Sequence, residues 1–168
     1  GCFGAHRDQA CVMLKMNEDG TVYYIAQALA DTVLGEGSYT VLESYQGKDL
    51  EYKEYEPLFD FVSPKEKCWY VTCDSYVTLT DGTGIVHIAP AFGEDDSNVG
   101  RKYGLPFVQL VDAKGDMAPE TPFAGKFVKD ADPLVLKDLK ERGLLFSAPA
   151  FEHSYPHCWR CGTPLIYY

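Results

Sequence analysis

Apolar residues recur in short runs, broken every few positions by glycine, proline or a charged cluster. Residues 11–16 alternate weakly and predict a strand. Asn17-Glu18-Asp19-Gly20 supplies a turn, and residues 21–24 the returning strand of a hairpin. Ile25, Ala28, Leu29, Thr32 and Val33 then fall at helical spacing, with Gly35 as the stop. Residues 39–45 are rich in strand formers and break at Gly47, and residues 49–57 mix charges with tyrosines as an extended edge does. Residues 58–64 read as a loop with an apolar anchor, and residues 68–73 and 76–80 as strands. A short helix is predicted over 95–103 with Gly104 ending it, then a strand over 107–111, a turn over 112–115 and a loop over 116–126. Asp132 as cap and Pro133 in the first position predict a helix that Gly143 ends. Strands are predicted over 144–148 and 165–168, whereas residues 1–9 show no periodicity and read as an irregular end. Many short strands with two or three helices imply an α+β or mixed barrel-like fold, read as a single domain over 1–168.

Composition narrows this picture. A chain of 168 residues, 46% hydrophobic and 24% charged, is long enough for a real core and too apolar for disorder. Twelve tyrosines and nine phenylalanines suit an aromatic, strand-rich interior. No apolar run approaches a membrane span and no signal peptide is visible, so a cytoplasmic location is expected. The formal net charge of −10 argues against strong non-specific binding to nucleic acid, since phosphate affinity comes from Lys and Arg. A local basic patch stays open, with Arg101, Lys102, Lys126 and Lys129 as candidates; Lys137, Lys140 and Arg142 read better as a solvated helix face.

Of six cysteines, only Cys158 and Cys161 stand at ligand spacing, and the rest read as reduced thiols. One CxxC is half a zinc site. His153 and His157 are possible further ligands, but there is no second pair at suitable spacing, so no zinc is expected in this chain on its own.

The densest chemistry lies in DGTGIVHIAPAFGEDD, residues 81–96. Its glycines allow close approach of backbone to a ligand. Asp96 stands where a helix begins, and there Glu94 or Asp95 could complement the helix dipole equally well. His87 beside an apolar run is more often a core residue than a catalyst. Thr83, between Gly82 and Gly84, fits a turn hydroxyl.

GTGIVHIAPAFGEDD, followed in order by VGRKYGLPFV, PFAGKFVKDADP, LKERGLL and SYPHCWRCGTPLIYY, resembles the editing domain inserted in isoleucyl-tRNA synthetase. The valyl and leucyl relatives share the GTG opening, and the likeness runs from about Val12 to the C-terminus. It implies the β-barrel-like editing fold of these class I synthetases, with residues 152–168 returning towards the synthetic core. The implied reaction is hydrolysis of valyl-tRNA mischarged on the isoleucine tRNA, and of valyl-adenylate, with water as nucleophile and no cofactor. ATP and zinc would belong to the full-length parent enzyme. The implied partners are the tRNA(Ile) acceptor end carrying a small misattached amino acid, and the remainder of the synthetase, with no membrane. By the same resemblance Asp96 binds the α-ammonium group, His87 lines the pocket near the ribose and the hydrolytic water, and Gly82, Thr83 and Gly84 form a wall. The family's TTTPWT-like segment has no counterpart in GCFGAHRDQ, and the HIGH-like and KMSKS-like motifs of ATP-dependent activation are absent. The alternative expectation is therefore a non-catalytic module that holds the tRNA acceptor end or packs against the synthetic core.

Overall fold

The computed structural model describes residues 2–150, 152 and 154–166. They form two compact units, one of Gly1–Asp60 with Pro64–Phe107 and the other of Phe61–Ser63 with Val108–Tyr168.

The first unit holds two three-stranded sheets. In one, β1 (Cys2–Ala5) lies between β5 (Val71–Cys73), which runs parallel to it, and β6 (Ile85–Ile88), which runs antiparallel. This corrects the expectation of an irregular N-terminal end. Three of the four β1 residues are buried, so the strand has no polar alternation for a pattern to reveal. Gly4 makes room for Ile88 there, because a Cβ on it would lie 2.6 Å from Ile88 Cδ1 and displace that side chain.

The other sheet is the predicted hairpin with one strand added. Central β2 (Ala10–Met16) pairs antiparallel with β3 (Val22–Ala26) and β4 (Tyr39–Gln46), with an irregularity at Met13/Leu14. Asp19 Oδ1 accepts the Thr21 N–H at 2.9 Å across the hairpin turn. Val12, Leu14, Ile25 and Ala30 make the core of this sheet, with Tyr23, Val33 and Tyr39 packed against it. The helix expected from Ile25 starts later, because Ile25 and Ala26 still belong to β3. A 3₁₀ turn, Gln27–Leu29, leads into α1 (Ala30–Leu34), and Gly35 ends it at φ 94°. A one-turn helix, α2 (Gly47–Leu50), follows β4 and is closed by reciprocal bonds between Gln46 and Asp49.

Helix α3 (Glu94–Tyr103) completes the unit and ends at left-handed Gly104, as expected. It buries Val99 against Cys2 and Ile88, with Tyr55, Tyr76, Val86, Tyr103 and Leu105 around them. Its far end is tied to the first sheet through Tyr103. That hydroxyl accepts the Cys73 N–H at 2.9 Å and donates to Glu51 Oε1 at 2.7 Å, while Arg7 Nη1 bonds the other Glu51 oxygen at 2.9 Å.

In the second unit α4 (Val128–Glu141) buries Ala131. Pro133 lies inside this helix and not at its start. The predicted cap, Asp132, gives way to extended Phe127, and the helix forgoes the one bond that a proline nitrogen cannot make. Asp112 Oδ1 closes the predicted turn by accepting the Lys114 and Asp116 N–H groups at 2.8 and 3.0 Å.

Residues 76–80, 107–111 and 144–148 form no strands; Val111 makes only an isolated bridge to Met117. Tyr76 packs into the core beside Ile88, whereas Phe107, Leu144 and Phe146 are exposed. Strand-forming composition therefore serves irregular chain in these stretches. The strand expected over 165–168 is absent at 165–166, and Tyr167 and Tyr168 lie outside the described residues. Neither described sheet closes into a barrel. Among the described residues no helix is long and apolar enough to cross a membrane.

Candidate functional site

Strand β6 delivers His87, and the turn after it delivers Asp96. Pro90 ends the strand, and Gly100 of α3 packs directly on it: a Cβ on Gly100 would lie 2.9 Å from the Pro90 Cβ. That close approach draws the first turn of α3 back over the strand end. The turn carries Glu94, Asp95 and Asp96. Composition leaves the three equivalent as partners for the helix dipole; the fold separates them. Glu94 and Asp95 are exposed, while Asp96 is half-buried and turned back towards the strand. Its Oδ1 accepts the Tyr76 hydroxyl at 3.2 Å, and its Oδ2 accepts the Ala89 N–H at 3.2 Å. Gly93 leaves room for this arrangement, since a Cβ there would stand 3.1 Å from Asp96 Oδ2.

His87 pairs with Phe3 across the β1–β6 ladder, and its ring meets the Phe3 ring edge-on at 6.1 Å. Phe3 in turn lies 4.9 Å from the Tyr55 ring. Strand alternation puts His87 on the face opposite Ile88, which is buried. His87 keeps substantial solvent contact, yet enough protein surrounds the ring for desolvation to lower its pKa, while the charge of Asp96 pulls the other way. The imidazole is therefore neutral at pH 7 and can both donate and accept a hydrogen bond. His87 and Asp96 stand close enough for this electrostatic coupling.

The GTG segment precedes the other end of β6, with Gly84 about 10 Å from His87 by strand rise. Gly84 is buried at φ 73°, its carbonyl held by Gln9 Nε2 at 2.7 Å, and the Ala26 N–H donates to the Thr83 carbonyl at 2.9 Å. The Thr83 hydroxyl turns back on Ile85, donating to its carbonyl at 3.0 Å. Exposed Gly82 at φ 68° has nothing within 4 Å of the place a Cβ would take. The fold thus ties Asp96 to the chain two residues past His87, while Thr83 and Gly84 brace the start of β6 against Gln9 and the end of β3.

Sequence reasoning missed two polar residues. Tyr76 lies in a stretch with strand composition, where a tyrosine signals only core. Gln9 falls where no pattern exists, and it is buried, with an amide oxygen that has no hydrogen-bond partner.

The CxxC residues form a tight knuckle. Gly162 N–H donates to the Cys158 carbonyl at 2.9 Å, and the Cys158 N–H to the Thr163 carbonyl at 2.9 Å. The Cys161 thiol, 3.1 Å from the Thr163 hydroxyl, has its pKa lowered by hydrogen bonds from Thr163 and Cys158. Two thiols in this turn suit half of a tetrahedral zinc site. Among the described residues no group of three or more His, Cys, Asp or Glu completes one. His157 Nδ1 lies 2.7 Å from the Tyr155 carbonyl, and His153 is outside the described residues. On α4, Lys137 and Arg142 pair with Glu141 and Asp138 along the helix, which is the solvated face expected of them.

No family model matches the chain. It is 51% identical over 156 residues to the isoleucine–tRNA ligase of Clostridium novyi, covering 92% of this chain and 15% of the ligase. Identity to the Streptomyces coelicolor isoleucine–tRNA ligase is 45% over 165 residues, 98% of this chain and 16% of the ligase. For the Thermus thermophilus isoleucine–tRNA ligase it is 46% over 144 residues, 86% of this chain and 13% of the ligase. The chain thus spans about 15% of the length of the curated relatives it matches. Its fold resembles the crystal structure of GlLeuRS-CP1 with a TM-score of 0.64 at 17% identity, covering 88% of this chain and 78% of that one.

Proposed function

Because the chain belongs to the isoleucyl-tRNA synthetases, as a fragment comprising their editing (CP1) region, we propose that it carries the pocket that hydrolyses valyl-tRNA(Ile). The observation that supports this reading most directly is the placement of Asp96. Of three adjacent carboxylates, it is the one bonded to Ala89, two residues past His87, and to Tyr76. A fixed carboxylate accepts charge-assisted hydrogen bonds from the α-ammonium group of an aminoacyl ester. That selects a substrate with a free amine.

The need for such a site is physical. A pocket that admits isoleucine rejects valine only weakly, because the two differ by one methylene; isoleucyl-tRNA synthetase is itself the standard example of this limit. Hydrolysis at a second, smaller site completes the discrimination. Water attacks the ester carbonyl, a new C–O bond forms, the bond to the ribose oxygen breaks, and a proton passes to that oxygen. Asp96 holds the amine, and neutral His87 positions the ribose hydroxyl or the attacking water. Valyl-adenylate is a second substrate, in which the same attack on the acyl carbonyl breaks the bond to the phosphate oxygen and releases AMP. The partners are the acceptor end of tRNA(Ile) and the remainder of the synthetase, and the setting is the cytoplasm.

A second reading has its own observation. Both Asp96 oxygens already accept bonds from within the chain, so Asp96 also works as a structural staple. On that reading the fragment holds the tRNA acceptor end without hydrolysing it. Deacylation of valyl-tRNA(Ile) by the chain and by Asp96→Ala, with isoleucyl-tRNA(Ile) in parallel, separates the two. Valyl-specific release that Asp96→Ala abolishes supports hydrolysis. Binding of the tRNA without release of valine supports the second reading.

A further inference from the structure

We infer that Tyr76 is a positioning residue for substrate amine recognition, fixing the Asp96 carboxylate so that its free lone pairs face an incoming α-ammonium group. The inference deepens the proposed reading of Asp96 and rests on it.

Each oxygen of an ionised carboxylate has two lone pairs. In Asp96 one oxygen uses a single lone pair on the Tyr76 hydroxyl and the other a single lone pair on the Ala89 N–H, both at 3.2 Å. One acceptor position per oxygen remains, enough for two bonds from an ammonium group. Two anchors on different oxygens also stop rotation of the carboxylate plane, which a single anchor would permit. An acidic side chain in the first turn of a helix otherwise turns towards the free N–H groups there. Holding it away from them before the ligand arrives removes an ordering cost from binding.

The Ala89 anchor is backbone and comes with the turn. The Tyr76 anchor is a side-chain choice, made 20 residues before Asp96 and outside the DGTG…GEDD stretch. Tyr76 is suited to it. Its ring packs against the core of Cys2, Ile88 and Val99, and its own N–H reaches Asp74 Oδ1 at 3.4 Å. Burial and the Asp96 charge push the phenol pKa up, so the hydroxyl stays protonated and acts as donor at neutral pH. Phenylalanine would preserve the packing and remove only the bond.

The test uses two non-hydrolysable mimics of the aminoacyl-tRNA end: valine joined by an amide to 3′-amino-3′-deoxyadenosine, and the same molecule without its α-amine. Binding of each is measured by calorimetry to the chain, to Tyr76→Phe and to Asp96→Ala. The amine-bearing mimic is expected to bind the unaltered chain more tightly, and Asp96→Ala to erase that preference. Tyr76→Phe is expected to reduce the preference about tenfold, the worth of one hydrogen bond to a charged group, with the amine-free mimic unchanged. A preference untouched in Tyr76→Phe but erased in Asp96→Ala would refute the role of Tyr76 and leave the reading of Asp96 standing. Equal weakening of both mimics in Tyr76→Phe would make Tyr76 a structural residue only, again refuting the inference. No binding by the unaltered chain, or a preference that survives Asp96→Ala, would overturn the reading of Asp96 and the inference with it.

Discussion

Gly84 stands against Ala26 so closely that a Cβ on the glycine would lie 2.4 Å from the alanine methyl. The contact joins the start of β6 to the end of β3, and the Ala26 N–H bond to Thr83 runs beside it. Gly84→Ala therefore meets two penalties. The φ of 73° costs a residue with a Cβ about 1 kcal/mol, and overpacking adds about 1–3 kcal/mol. Gly82→Ala meets only the first, because the space beside Gly82 is open. Urea unfolding of the two variants should show Gly84→Ala as clearly the less stable. Equal losses would mean that the sheets do not meet at this point.

Asp96→Ala should weaken the fold whether or not the site is catalytic. It leaves the Ala89 N–H and the Tyr76 hydroxyl without their acceptor, at a cost of about 1–3 kcal/mol, with the lower end expected for a half-exposed group. Asp95→Ala, on the exposed side of the same turn, should stay within about 0.5 kcal/mol. Chemical denaturation of the pair checks this, and matching stabilities would remove the staple from the account.

His87 should titrate below an ordinary histidine. Its folded-state pKa is lowered, first by burial, so the folded chain disfavours the imidazolium. The sign follows by linkage: stability is complete above the unfolded pKa of about 6.5 and declines as pH falls through the lower folded value. Solvent contact keeps the effect small. Proton NMR of the His87 ring gives the midpoint directly, and one at or above 6.5 would contradict the burial argument. If the chain hydrolyses its ester, activity resting on neutral His87 should persist further into acid than an unperturbed histidine permits.

The cysteines should separate by reactivity. Burial pushes the thiols of Cys2 and Cys73 each up to about 11, whereas hydrogen bonds lower Cys161, which is exposed. Thiolate is the reacting form. Brief treatment with iodoacetamide near neutral pH should label Cys161 well ahead of Cys2 and Cys73, read by peptide mass spectrometry. Labelling of Cys73 as fast as Cys161 would show that the first sheet opens readily.

The second sheet was legible because it is half-solvated. Its hairpin carries a polar turn and a helix stop at Gly35, and the structure places both where the pattern does. The first sheet was not. Strand β1 is short and almost wholly buried, so hydrophobicity varies too little along it to signal a period. Tyr76 misled for a related reason, since strand formers also suit irregular chain that packs on a core. At the site, residue types pointed to His87 and to a carboxylate of the 94–96 cluster, but choosing among the three needed the family resemblance. The geometric distinction comes from the Ala89 N–H, which the turn supplies, and from Tyr76, 20 residues away, which no local spacing reveals.

Strand β1 precedes both of its partners in sequence but lies between them in its sheet, and this sets an order of events. The hairpin of β2 and β3 and its neighbour β4 can assemble from chain that is close at hand. Phe3 has to wait for Val71 and then for His87 before both of its edges are paired within the sheet. Contacts so distant in sequence close slowly, because the loop entropy is lost before the pairing returns anything. Until Ile88 has joined, this nearly apolar strand still lacks one of its two partners, the form in which such segments pair with the wrong neighbour. The last strand of that sheet to arrive is also the one that bears His87, so the pairing that covers the second edge of β1 also sets His87 in its place.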